Sequence, residues 1–119
     1  MAQMQKKTLG TPDETRTFDK GQLQLVTLGG LTFGRATFQP GWRWSTSVKP
    51  IAKTASCQAP HLHYQISGRL HVAMDDGSEM EFVAGDVGQI PPGHDAWVVG
   101  REPVVVVDIS GMGDYAKPK

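Results

Sequence analysis

Turn residues cut this chain into short pieces of two-residue periodicity, and that punctuation constrains the fold more than anything else in the sequence. Gly29-Gly30, Pro40-Gly41, Gly68, Asp75-Asp76-Gly77, Gly85, Pro91-Pro92-Gly93 and Gly100 recur at short intervals. Such residues supply fixed or positive φ at turns. Between them the pattern is that of strands. Gln22 to Leu28 alternates polar and apolar, and Leu31 to Phe38 is a second strand. Trp42-Arg43-Trp44-Ser45 reads as a third, short one, with the two indoles on one face and Arg43 on the other. Arg69 to Met74 alternates, then turns at Asp76-Gly77 into Glu79 to Phe82. Val87 to Ile90 and Ala96 to Val99 follow, and Val104 to Val107 reads as a strand buried on both faces. Nowhere do apolar residues keep helical spacing for ten residues. About nine short strands with regular turns predict an all-β sandwich or barrel.

Residues 1–20 are polar and without periodicity, an arm that orders only if it packs on a partner or on the sheet. The globular domain is expected over 21–111, with a short tail over 112–119. The length of 119 residues suits one domain with a real core. Twelve basic residues balance twelve acidic ones, so no strong field recruits nucleic acid or an anionic membrane. The single cysteine, Cys57, leaves no internal disulfide, and no secretory signal is seen at the N-terminus. No apolar run approaches the ~20 residues of a membrane helix. The expectation is a cytoplasmic protein.

The chemistry concentrates in His61-Leu62-His63-Tyr64-Gln65-Ile66-Ser67-Gly68. On a strand, His61, His63 and Gln65 share one face, and Leu62, Tyr64 and Ile66 take the other. Two imidazoles and an amide in a row are costly to bury without partners, so that face is either wet or binds something. His94 lies just after Pro91-Pro92-Gly93. A strand pair of histidines plus a third from a neighbouring loop makes a workable open metal site. The expected ligands are therefore His61, His63 and His94, with Gln65 orienting water or a bound molecule. Neutral imidazole suits zinc, iron, copper and nickel. The ordinary readings are plainer: a satisfied histidine in a polar mouth, a turn-capping His94, and Cys57 as a small buried apolar residue. His71 falls on the opposite parity and is left out. No phosphate loop, nucleophile elbow or paired Cys-x-x-Cys is present.

Two stretches resemble the cupin superfamily. In Gly85-Asp86-Val87-Gly88-Gln89-Ile90-Pro91-Pro92-Gly93, the residues Gly85, Pro91 and Gly93 fit the family's second motif, G-x5-P-x-G-x2-H-x3-N. Gly68 fits the closing glycine of the first motif, G-x5-H-x-H-x(3,4)-E-x6-G. The chain is similar to small single-domain bacterial cupins, which implies a cupin-like β-barrel of the jelly-roll type, built from two antiparallel sheets, and a homodimer. Trp42, Trp44 or the N-terminal strand would supply the contact. The family's ligands do not carry over. The glutamate position falls on His61, the paired histidines on Ala55 and Cys57 or one residue earlier, and the second-motif histidine on Ala96. Cys57 at an old ligand position leaves a soft-metal role open. The resemblance implies a metal-dependent enzyme acting on a small organic molecule, of dioxygenase, isomerase, cyclase or decarboxylase type. The alternatives are a small-ligand-binding module without metal or catalysis and, last, a purely structural dimer.

Overall fold

The computed structural model describes residues 3–109. Nine strands run through it: β1 (Glu14–Phe18), β2 (Gly21–Leu28), β3 (Leu31–Phe38), β4 (His61–Ser67), β5 (Arg69–Met74), β6 (Glu79–Val83), β7 (Val87–Ile90), β8 (His94–Val99) and β9 (Val104–Asp108). They form a six-stranded sheet, ordered β1-β2-β3-β9-β4-β7, and a three-stranded sheet, ordered β6-β5-β8. Every neighbouring pair is antiparallel. The result is a cupin-like β-sandwich of two antiparallel sheets, the all-β class that the turn spacing predicted in the form that the resemblance implied.

The strands form where period-two patterning lets one face be buried. Leu23 and Leu25 of β2, Ala36 and Phe38 of β3, and Val104 and Val106 of β9 point inward from the large sheet. Leu70 and Val72 of β5 meet them from the small one. The four-valine run is not buried on both faces. Val105 and Val107 remain partly exposed, because β9 lies in a sheet covered on one side only. The run continues one residue further than its valines, to a fully buried Asp108.

Two other expectations change. Residues 14–18 of the polar arm are strand β1, paired with β2 through a turn at Asp19-Lys20. This edge strand has no fully buried residue, which is why the sequence there shows so little periodicity. The Trp42–Ser45 strand is reduced to a single bridge between Arg43 and Trp97. The chain then makes two one-turn helices, α1 (Trp44–Ser47) and α2 (Lys49–Ala52). The Asp95 carboxylate accepts from Ser45 N at 3.1 Å, and Pro50 sits in the first turn of α2, where its missing N–H is no loss. Three alternating residues are too few to distinguish a strand from a turn. The inward placement of both indoles still holds, and Trp42 and Trp44 are each 2% exposed.

Gly68 joins β4 to β5 at φ +78°. A Cβ there would lie 2.5 Å from Pro103 O and 2.8 Å from Val104 Cα, both backbone atoms that cannot swing away. Gly68→Ala should therefore cost roughly 2–4 kcal/mol, combining positive-φ strain with the clash. Urea denaturation would show it. A loss below about 0.5 kcal/mol would mean that this corner is not the tight junction it looks.

Candidate metal centre

Strand parity brings His61, His63 and Gln65 of β4 onto the inner face together, with exposures of 7%, 4% and 0%. Leu62, Tyr64 and Ile66 point out. His94 is also on the inner face, at 3% exposure, but it is the first residue of β8 and not a loop residue. It shares that face with Ala96, the position where the cupin pattern has its histidine, so its ring sits two residues earlier along the same strand. The backbone of Cys57 is bridged to His94. Cys57 N donates to His94 O at 2.7 Å, and Gly93 N donates to Cys57 O at 2.7 Å.

These elements converge on one group of potential ligands. A ligand atom from each of Cys57, His61 and His94 lies within 4.8 Å of the other two, and all three residues are buried. The structure thus brings together two of the three expected ligands, His61 and His94, and adds Cys57. His63 lines the same cavity but is not in that group. Its ring stands edge-on to Phe82 at 5.2 Å, and a Cβ at Gly88 would come within 2.9 Å of it. Gln65 does not line the cavity. Its amide nitrogen donates to Gly68 O at 2.9 Å and Phe82 O at 2.8 Å, which ties the β4–β5 corner to β6. His71, set aside on parity, lies outside the cavity and stacks on Trp97 at 4.7 Å.

The hydrogen bonds fix the tautomers of the two clustered imidazoles. His94 Nδ1 lies 2.8 Å from Pro91 O, and a carbonyl can only accept, so Nδ1 carries the proton. His61 Nδ1 lies 2.8 Å from Asp108 Oδ2 and donates to that buried carboxylate. In a neutral ring each of these bonds leaves the lone pair on Nε2. This is the carboxylate–histidine and carbonyl–histidine arrangement that orients imidazoles toward metals. Cys57 Sγ is 3.8 Å from His61 Nε2, so the thiol donates to that lone pair. A tetrahedral zinc would set this sulfur–nitrogen separation at about 3.6 Å. The donor set fits a borderline-soft divalent ion with one coordination position left open.

Burial controls the charge states. Desolvation pushes the Cys57 thiol up to about 11, assisted by the negative charges of Asp95 and Asp108. Without an ion the sulfur therefore stays protonated. Desolvation also brings His94 down from 6.5 to about 4, against the opposing hydrogen bond to Pro91. His63 is lowered mainly by burial, against the pull of Asp108 and of the Gln65 amide. Neutral rings suit metal ligation. The cavity is walled by Phe38, Trp42, Trp44, Leu70, Ile90, Ala96 and Val106, with the three histidines and Asp108 supplying its polar side. It offers about 30 Å³ to water centres, room for two or three small groups and no more.

Asp108 and Cys57 are the two contributors that His61 and His94 could not announce. Asp108 follows Val104 and Val106 on the inner face of β9, but a run of four valines shows no alternation from which that face could be read. Cys57 lies in an irregular stretch, where only the cupin alignment hinted at it.

No family model matches the chain, and no curated protein matches it. Solved structures do. A structural-genomics protein from Rhizobium leguminosarum superposes with a TM-score of 0.62 at 18% identity, covering 92% of this chain and 97% of that one. A DUF1255 protein from Acidithiobacillus ferrooxidans gives 0.58 at 18% identity, covering 83% and 87%. KdgF from a Halomonas species gives 0.56 at 18% identity, covering 80% and 83%. These neighbours belong to cupin-fold families, so the likeness is one of fold. Identities this low carry no chemistry across.

The depressed histidines predict an acid weakness of the metal-free protein. Below pH 6.5 an unfolded His94 takes up a proton that the folded one refuses. Stability is thus fully present above about 6.5 and is lost as pH falls toward 4. The loss from His94 alone should be roughly 2–4 kcal/mol. Urea titrations of chelator-treated protein at pH 7 and pH 4.5 would reveal it, and His94→Gln should flatten the difference.

Proposed function

We propose that this chain is a metal-binding cupin-like protein, with one divalent ion held by Cys57, His61 and His94. The observation that carries the reading is the pair of tautomers fixed from behind by Asp108 and Pro91 O. Both leave Nε2 lone pairs beside a buried sulfur. A core that only needed filling would gain nothing from such orientation, and burying three polar groups side by side is costly. Ligand chemistry favours zinc, since one thiolate and two imidazoles suit it and leave a fourth position for water or substrate. Ionisation of Cys57 accompanies binding, so affinity should rise with pH. When bound, the ion supplies Lewis-acid polarisation of a small molecule. Asp108 holds the His61 ring, and His63 lines the same space. Action on a small organic molecule is the reading that the open position and the apolar cavity support. A non-catalytic binding role shares the same site.

Elemental analysis of protein purified without a metal-affinity column should find close to one zinc-class ion per chain. Cys57→Ala and His61→Ala should each reduce that content at least tenfold, whereas His63→Ala should leave it near one. Less than about a tenth of an ion per wild-type chain, after zinc supplementation, would set the metal reading aside.

The partner we propose is a second copy of this chain. Trp42 and Trp44 are core residues and present no contact surface. The outer face of β4, β9 and β7 does. Leu62, Tyr64 and Ile66 lie on it in a row, beside Val87 at 73% exposure and Ile109. Tyr64 is in register with both Val87 and Val107. These side chains expose on the order of 500 Å² of apolar surface, at the upper end for a monomer. None is charged, and β7 is an edge strand without charge or proline to guard it. A neutral, flat, uncharged face is complementary to itself, as a two-fold contact requires. Light scattering should give a dimer for the wild type and a monomer for Tyr64→Lys with Val87→Lys. A monomeric wild type at micromolar concentration would refute this contact.

A further inference from the structure

The cavity beside Cys57, His61 and His94 has a feature that metal ligation leaves unexplained. Trp42 lines it, is 2% exposed, and its indole Nε1 has no hydrogen-bond partner. An indole N–H can only donate. A buried donor left without an acceptor is rare in folded proteins and costly where it occurs. Among the described residues no acceptor reaches this one. His63, another lining residue, likewise has a buried Nε2 without a hydrogen-bond partner among the described residues, although the Gln65 amide lies close enough to favour a proton on that ring. Apart from the histidines and Asp108 the wall is apolar. An occupant with an oxygen acceptor would satisfy the indole, and about 30 Å³ for water centres limits that occupant to roughly three heavy atoms.

Charge decides what kind of oxygen. A divalent ion, the Cys57 thiolate and the Asp108 carboxylate sum to zero. No lysine or arginine lines the cavity. An anionic ligand would thus bring an uncompensated negative charge into a desolvated space, which is strongly unfavourable. A neutral hydroxyl or carbonyl avoids that cost and still accepts from the indole.

Resting on the metal reading above, we infer that the cavity is a subsite for a neutral, oxygen-bearing group of about three heavy atoms, recognised by the Trp42 Nε1–H. The group is a hydroxyl or carbonyl on a short apolar stem, whether a whole small molecule or the reacting end of a larger one. Trp42 is a specificity residue in this scheme. It selects oxygen over a methyl group of the same size, and neutral over anionic ligands through the charge balance around it.

The test uses ¹⁵N-labelled, zinc-loaded wild-type protein and the indole N–H resonances of its three tryptophans. Trp44→Phe and Trp97→Phe assign the Trp42 signal by elimination. Ethanol and formate are the probes, since they match in size and differ in charge. Ethanol should move the Trp42 indole proton downfield in a saturable way and leave the other two in place, while formate should not. Trp42→Phe should keep its metal and bind ethanol about fivefold more weakly, the effect of one neutral hydrogen bond. A stationary Trp42 signal in protein of stoichiometric zinc content would overturn the subsite and leave the metal centre standing. Tighter binding of formate than ethanol would overturn it equally. Zinc content far below one in the wild type would remove the metal centre and this inference together.

Discussion

A buried hydrogen bond between His61 Nδ1 and Asp108 Oδ2, 2.8 Å long, ties the site to the fold. It crosses from β4 to β9, neighbouring strands of the large sheet, and both residues face the interior. A carboxylate so fully withdrawn from water is expensive unless it is met by a donor. The imidazole is such a donor, and in meeting it the ring commits Nδ1 and turns Nε2 toward Cys57 Sγ, 3.8 Å away. Asp108 thereby sets the direction in which His61 can act. The same logic operates at His94, where a backbone carbonyl of the Pro91-Pro92-Gly93 turn takes the role of the carboxylate.

Two strands from two sheets have to be placed together for those lone pairs to meet. β4 belongs to the six-stranded sheet and β8 to the three-stranded one, so the site spans the interior of the sandwich. The Cys57 segment stitches the gap, its backbone bridged to His94. The site is therefore part of the core, walled by the same indoles and aliphatic groups that hold the sheets together. Burial that stabilises the fold also keeps the His94 ring neutral and the Cys57 thiol protonated. One physical cause, withdrawal from water, sets these charge states and closes the space around them.

The departure from the cupin pattern has a geometric content. His94 stands two residues before the position where the family has its histidine, and a shift of two keeps a residue on the same strand face. His61 occupies the position of the family's glutamate, and Cys57 one of its histidine positions. For His61 and His94 the convergence follows from face parity on β4 and β8, whereas Cys57, outside any strand, is brought in by its backbone bridge to His94.

Alternation and turn chemistry in the sequence determined the strands, the two-sheet sandwich, and the inward face of His61, His63 and Gln65. Each follows from local steric rules that act over two to four residues. Local rules could not say which inward residues meet. His61, His63 and Gln65 are equivalent in the sequence, but only His61 faces Asp108, while His63 turns to Phe82 and Gln65 ties down a corner. Nor could they find Cys57, which has no periodicity to betray it, or show that Trp42 would lack an acceptor. Those outcomes depend on residues fifteen to fifty positions apart being packed within a few ångströms, and only tertiary structure decides that.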